Sequence, residues 1–265
     1  CLSSFSLAGV KTMIGRLGNL AASSGSTVPS GEVKLRIIKA GGYSIPSPTP
    51  FGLKNALVTK PLYEKSFMEL VRLALPLKNQ SDEVRKFKFA NMRTMARGLK
   101  PILLARHLGI PTFWGNLWLR KIKSDGGIVD FGLCSMRVVT TAGVTFLVDA
   151  LQNLVEAELM RYHGVGTGST AEAAGDTALV TELTTEYNPN STRVTGTLTE
   201  TSATIFKTVG TNTLDGTPAA ALREHGVFSA SSAGTLLDRT VYAAITLVSG
   251  EGIESTYEHT IAAGG

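Results

Sequence analysis

Between Ser81 and Gly127 the sequence carries Arg85, Lys86, Lys88, Arg93, Arg97, Arg120, Lys121 and Lys123, with Phe87 and Phe89 interleaved in the first cluster. Cations at this density neutralise phosphates or engage an acidic protein surface, and aromatic rings among them can stack on bases. These eight are the candidate contacts for nucleic acid or an acidic partner. The competing reading is a solvated basic face on a helix whose Phe and Met residues pack elsewhere, and no recognised nucleic-acid module surrounds them.

A second group, His163-Gly164-Val165-Gly166-Thr167-Gly168-Ser169-Thr170, invites a phosphate-loop reading. Such a loop ends on Gly-Lys-Ser/Thr and sets its lysine on the β/γ-phosphates, yet no lysine occurs between residues 124 and 206. The glycine spacing also departs from the dinucleotide fingerprint, and no βαβ unit follows. The expectation is that these glycines let the backbone turn sharply out of a strand. The histidines His107, His163, His225 and His259 are too widely spread for a sequence-local metal site. Convergence of His163 with Glu172 and Asp176, or of Glu224 with His225, would supply acid–base chemistry. Neighbours in one strand point to opposite faces, however, which separates Glu224 from His225. There is no Gly-x-Ser-x-Gly elbow, no His-Glu-x-x-His and no paired-cysteine metal spacing. No catalytic, cofactor-binding or metal-ligating residue is assigned.

Two unlike halves must position these residues. Residues 1–130 hold 20 Lys/Arg against 7 Asp/Glu and residues 131–265 hold 6 against 14, so the formal +5 averages a basic and an acidic half. Threonine divides the same way, 6 against 24, as a strand-rich second half would require. In the basic half, Ser/Gly/Pro punctuation over 21–60, including Pro46-Ser47-Pro48-Thr49-Pro50, leaves room for one short strand at Glu32–Lys39. Helices are predicted at 62–75, stopped by Pro76, and at 81–99, started near Ser81 and stopped at Gly98. The composition break near 118–130 sets the expected boundary between a basic N-terminal extension, 1–118, partly helical or disordered, and a second domain, 119–265.

In that second domain a strand at Cys134–Thr140 leads to a helix at 141–159. Its Val144, Leu147, Val148, Leu151, Leu154 and Val155 recur at helical spacing and mark the expected core face. From Arg161 onward the period becomes two, with strands at 160–166, 192–200, 202–209, 219–228, 235–248 and 252–261. Leu237, Val241, Ala243, Ile245 and Leu247 share one parity, and Ile253, Tyr257 and Ile261 another. Turn signals such as Asn188-Pro189-Asn190 and Ser249-Gly250-Glu251-Gly252 separate them, and the crossover helices that parallel pairing needs are missing. The fold class is mainly β (α+β): a C-terminal antiparallel β-sandwich with one amphipathic helix, preceded by the basic extension.

No run approaches the roughly 20 apolar residues of a membrane-spanning helix, so no membrane partner is expected. Cys1–Val10 lacks the basic start of a secretory signal, and Cys1 and Cys134 cannot build a disulfide framework, which fits a reducing compartment. Met13 is a candidate start.

The run Gly132-Leu133-Cys134-Ser135-Met136-Arg137-Val138-Val139-Thr140-Thr141-Ala142-Gly143-Val144, followed by Phe146-Leu147-Val148-Asp149-Ala150, resembles the opening of a family of small proteins encoded by tailed bacteriophages. The resemblance continues through Tyr162–Gly168, Thr170–Leu179, Glu224–Ala230 and Leu236–Tyr242, and covers about residues 126–265. It implies a virion structural protein, a component of the particle that passes through the host cytoplasm during assembly. Its partners would be other virion proteins, with a homo-oligomer expected, and its place either capsid decoration or the neck or tail. Residues 1–115 have no counterpart in the family: they are a basic extension or lie upstream of the true start. Two other roles stay open beside it, a host-surface or glycan-binding module and a DNA-associated protein acting through the basic half.

Overall fold

The computed structural model describes residues 67–108, 113–184, 192–199, 204–215 and 218–261. The predicted strand at Glu32–Lys39, the polyproline segment, the first residues of the 62–75 helix and the Asn188–Asn190 turn lie outside them.

Helix α1 (Phe67–Ala74) closes ahead of Pro76, which bars the helical conformation from the residue before it. Helix α2 (Asp82–His107) starts as expected, with Ser81 Oγ accepting from the Val84 amide at 3.3 Å and Asp82 and Glu83 at the positive end of the helix dipole. It does not stop at Gly98, but runs on through Pro101. Gly98 instead marks a close approach, since a Cβ there would collide with the backbone carbonyl of Met136. The backbone bond lost at Pro101 is offset by packing on both sides of it, where Leu99 and Ile102 meet Trp114, Leu133 and Met136.

Strands β1 (Phe113–Ile122) and β2 (Ile128–Val138) form an antiparallel hairpin. Its turn is closed by the Lys123 amide donating to the Gly127 carbonyl at 2.8 Å, with Gly126 at φ +81°. The sequence predicts only a shorter strand from Cys134 here. The boundary expected at 118–119 falls within β1, and the basic α2 shares its core with the sheets, so this break in composition is not a break in packing.

Helix α3 spans Thr141–Leu151, where the periodicity predicted 141–159. Thr140 caps it, its Oγ1 accepting from the Gly143 amide at 2.9 Å. Asn153 ends it by taking a left-handed φ of 57°, a conformation Asn tolerates at helix C-termini. A single 3-10 turn, Ala157–Leu159, follows.

The remaining strands lie close to their predicted positions: β3 (Tyr162–Gly166), β4 (Val194–Thr195), β5 (Thr197–Leu198), β6 (Ile205–Thr213), β7 (Ala220–Phe228), β8 (Leu236–Leu247) and β9 (Gly252–Ile261). Among the described residues all ladders are antiparallel, and they make two sheets, β2-β1-β9-β6-β5 and β4-β3-β7-β8. A sandwich results, its core drawn from both inner faces: Leu117, Leu119, Phe131 and Ile253 from the first, Val165, Leu222, Tyr242 and Ile245 from the second.

Both open sides of the sandwich are closed. On one, the chain passes from β4 to β5 through Gly196, too crowded by Thr208, His163 and the Arg161 carbonyl to hold a side chain. On the other, α2 spans the edge strands β2 and β8. Its Val84 and Phe87 enter the shared core, and Asn91 bridges the strands, donating to the Cys134 carbonyl at 2.6 Å and accepting from the Ala243 amide at 3.1 Å. Covering an edge in this way removes unpaired backbone groups that would otherwise template aggregation.

Candidate functional site

The residues that could do chemistry gather on the two faces of the four-stranded sheet. Register places His163 and Val165 of β3 opposite Val227 and His225 of β7, so both histidines point toward the five-stranded sheet. There His163 Nδ1 meets His225 Nε2 at 2.9 Å, and His163 Nε2 meets Thr208 Oγ1 of β6 at 3.1 Å. Gly210 makes the room, since a Cβ there would lie 2.7 Å from the His163 ring. Burial lowers the pKa of His163 to about 3 and that of His225 well below its ordinary value, so both rings are neutral at pH 7. His225 Nδ1 has no hydrogen-bond partner among the described residues. The less costly tautomer therefore has His225 Nε2–H donating to His163 and His163 Nε2–H donating to Thr208, which leaves an acceptor unpaired in place of an N–H.

Glu224 lies on the opposite face, as strand alternation requires, and does not meet His225. Its carboxylate, wholly buried, accepts from the amides of Gly168 (3.0 Å), Thr181 (2.7 Å) and Val180 (3.1 Å) and from Arg239 Nε at 2.9 Å. Arg239 continues the network to Asp176 Oδ2 and the Thr170 carbonyl, both at 3.0 Å. Burial alone would lower the Arg239 pKa, but bonding to Asp176 and Glu224 more than offsets it. The effect is mechanical: one buried ion pair fastens the 167–183 segment across the outer face of the sheet. The glycines of the 163–170 run serve this segment. At Gly166 and Gly168 a Cβ would strike Glu224, and at Gly164 it would come within 2.8 Å of Glu182. They permit close approach within and beside β3, in place of the sharp turn predicted for them.

Glu172 does not join His163 and Asp176. It pairs with Arg137 of β2, whose own pKa burial lowers. Facing this pair is Asp238, buried and pushed up to about 7, with Thr240 Oγ1 donating to it at 2.9 Å. Among the described residues no group of three or more His, Cys, Asp or Glu side chains is placed to hold a metal ion. A surface hollow of about 150 Å³ is lined by Glu182, Thr184, Thr192, Arg193 and Ser231. The Arg193 guanidinium there is already committed to Glu182, the Ala230 and Ala233 carbonyls and the Phe228 ring.

The eight predicted basic contacts are split by the fold. Lys88 is buried and donates to the Leu73 carbonyl at 3.1 Å. Lys121 is held by Glu251 at 2.9 Å and by the Thr246 carbonyl, and Arg120 by Glu254 at 2.9 Å. Arg85 pairs with Asp82 in its own helix. Lys86, Arg93, Arg97 and Lys123 stay exposed. Sequence reasoning missed Lys100, which the longer helix places in line with Lys86, Arg93 and Arg97 at spacings of seven, four and three residues.

The predicted core face of α3 holds only in part. The helix buries Phe146 and Gly143, and a Cβ at position 143 would lie 2.6 Å from the Leu237 carbonyl. Val144 and Val148 are 44% and 47% exposed, Leu151 89% and Leu154 68%. Leu147 and Val155 of the predicted face do pack against the core beside Phe146, so the apolar periodicity is split between an inward and an outward side.

The chain matches no protein-family model, and comparison with curated proteins returns no match.

Proposed function

We propose that this chain is a non-enzymatic structural subunit of a tailed-phage particle, acting through protein–protein contacts. The observation that carries the reading is the outward apolar stripe of α3, Val144, Val148 and Leu151 on one exposed helix face with Leu154 exposed just beyond its end, in a domain whose paired histidines His163 and His225 and whose Glu224 are spent on internal bonds. An exposed contiguous apolar surface marks an interaction site. The resemblance of residues 126–265 to tailed-phage proteins supplies the setting: other virion proteins, copies of this chain among them, as the partners. Repeated on a symmetric particle, one modest contact per subunit becomes firm attachment. Burial of the Leu151 side chain against a partner would contribute about 2 kcal/mol, so Val148→Asp with Leu151→Asp removes most of the attraction. Light scattering of the purified full chain tests this. An assembly that falls to monomer in the double variant, with its melting temperature unchanged, supports the reading. A monomer at every concentration, or an assembly indifferent to the substitutions, overturns it.

A further inference from the structure

The exposed cations of α2 form a single surface that the subunit role leaves unused. At 100° per residue Lys86, Arg93, Arg97 and Lys100 fall within one narrow stripe, on a straight run about 21 Å long at 1.5 Å per residue. Between residues 84 and 124 the sequence has ten Lys or Arg and no Asp or Glu. Among the described residues none of these four is ion-paired, whereas Arg85, Arg120 and Lys121 are. Phe89, 56% exposed, sits at the edge of the stripe between Lys86 and Arg93. The helix itself is fixed rigidly, by Asn91 to both sheets and by Gly98 against β2.

We infer that this stripe is a docking surface for the phosphate backbone of duplex nucleic acid, bound without sequence preference. Successive cations rise about 10.5, 6 and 4.5 Å along the axis, a spacing that flexible Lys and Arg stems can match to phosphates some 7 Å apart. The stripe offers no Asn or Gln to read base edges, and one aromatic ring is too few for the stacking platform of a single-strand binder. Guanidinium groups at Arg93 and Arg97 suit phosphate through paired N–H donors.

The test is fluorescence anisotropy of the full chain with a labelled 20-base-pair duplex, titrated between roughly 50 and 200 mM salt. Four phosphate contacts predict a slope of log K against log salt of about −3.6, a loss of about 100-fold across that range. R93Q with R97Q should lower the slope by about 2 and K86Q with K100Q by a similar amount, while R93K with R97K keeps it. All four substituted positions carry exposed side chains, and unchanged melting temperatures verify the fold. An absence of binding at the lowest salt overturns the inference. So does binding whose slope the substitutions leave untouched, which would assign it to other cations such as those in residues 1–66. Light scattering of the same variants separates the alternatives: an assembly that dissociates while DNA affinity holds would make the stripe a contact for acidic protein.

Discussion

Asn91→Ala should destabilise the whole domain, because this side chain joins two sheets through one helix. Asn91 is 2% exposed, and its amide serves the carbonyl of Cys134, itself fully buried, and the amide of Ala243, half-buried. Truncation leaves both backbone groups without that partner. The buried carbonyl loses roughly 1–3 kcal/mol and the half-buried amide, which water can partly reach, about 1 kcal/mol, for a total near 2–4 kcal/mol. Against a typical domain stability of about 5–15 kcal/mol this is a large fraction. Urea unfolding followed by tryptophan fluorescence suits the measurement, since Trp114 lies in, and Trp118 packs against, the core that α2 covers. The midpoint should fall with little change in slope. Asn91→Asp should lose at least as much, because a carboxylate would face the Cys134 carbonyl. A loss below about 0.5 kcal/mol in both variants, the level of an ordinary surface substitution, would refute α2 as the closure of the sandwich.

Other consequences follow from the buried groups. Gly98→Ala would place a methyl against the Met136 carbonyl and should cost at least about 1–3 kcal/mol, read as a lower melting temperature, although Ala is the better helix former. Stability should fall as pH drops below 6.5, because burial holds His163 near 3 and His259 near 4 while the unfolded chain takes up those protons at the ordinary value. His163→Gln should flatten that part of the pH–stability curve, and an unchanged curve would remove His163 from the account. Asp238 acts in the opposite sense: its raised pKa makes the folded chain lose stability as pH climbs from about 4 to 7, so Asp238→Asn should recover stability at pH 8 relative to pH 5. Cys134, fully buried with its thiol held protonated by burial and donating to the Gly132 carbonyl, should resist alkylation at pH 8 until the domain unfolds, as peptide mapping would report.

Where a strand keeps one face toward the core, its alternation was legible. The inward Ile253 and Tyr257 of β9 and the near-correct bounds of β3 and β7 are examples. β1 was not, because it is covered on both sides: Leu117 and Leu119 face the sandwich core while Trp114 packs beneath the helices, and a doubly covered strand loses its period of two. The helix errors have a different origin. Periodicity locates an apolar face but not what covers it, so Val144, Val148, Leu151 and Leu154 read as core although the structure turns them outward, while Leu147 and Val155 do pack inward. Gly98 read as a stop because a glycine needed for helix–strand contact looks, in sequence, like one needed for chain reversal. Asn153 was a usable signal for the end of α3 that the apolar pattern outweighed. The separation of Glu224 from His225 followed from alternation alone, whereas the His163–His225 contact needed the register of β3 against β7. Nor could the basic cluster be sorted in sequence, because the partners of Arg120 and Lys121 lie on β9 and the turn before it, some 130 residues away.

The central claim is that this chain is a building block of a phage particle. Quantitative mass spectrometry of purified virions tests it most directly. The account predicts peptides from across residues 67–261 at the abundance of a repeated structural subunit, and intact, DNA-filled particles lacking this chain would contradict it.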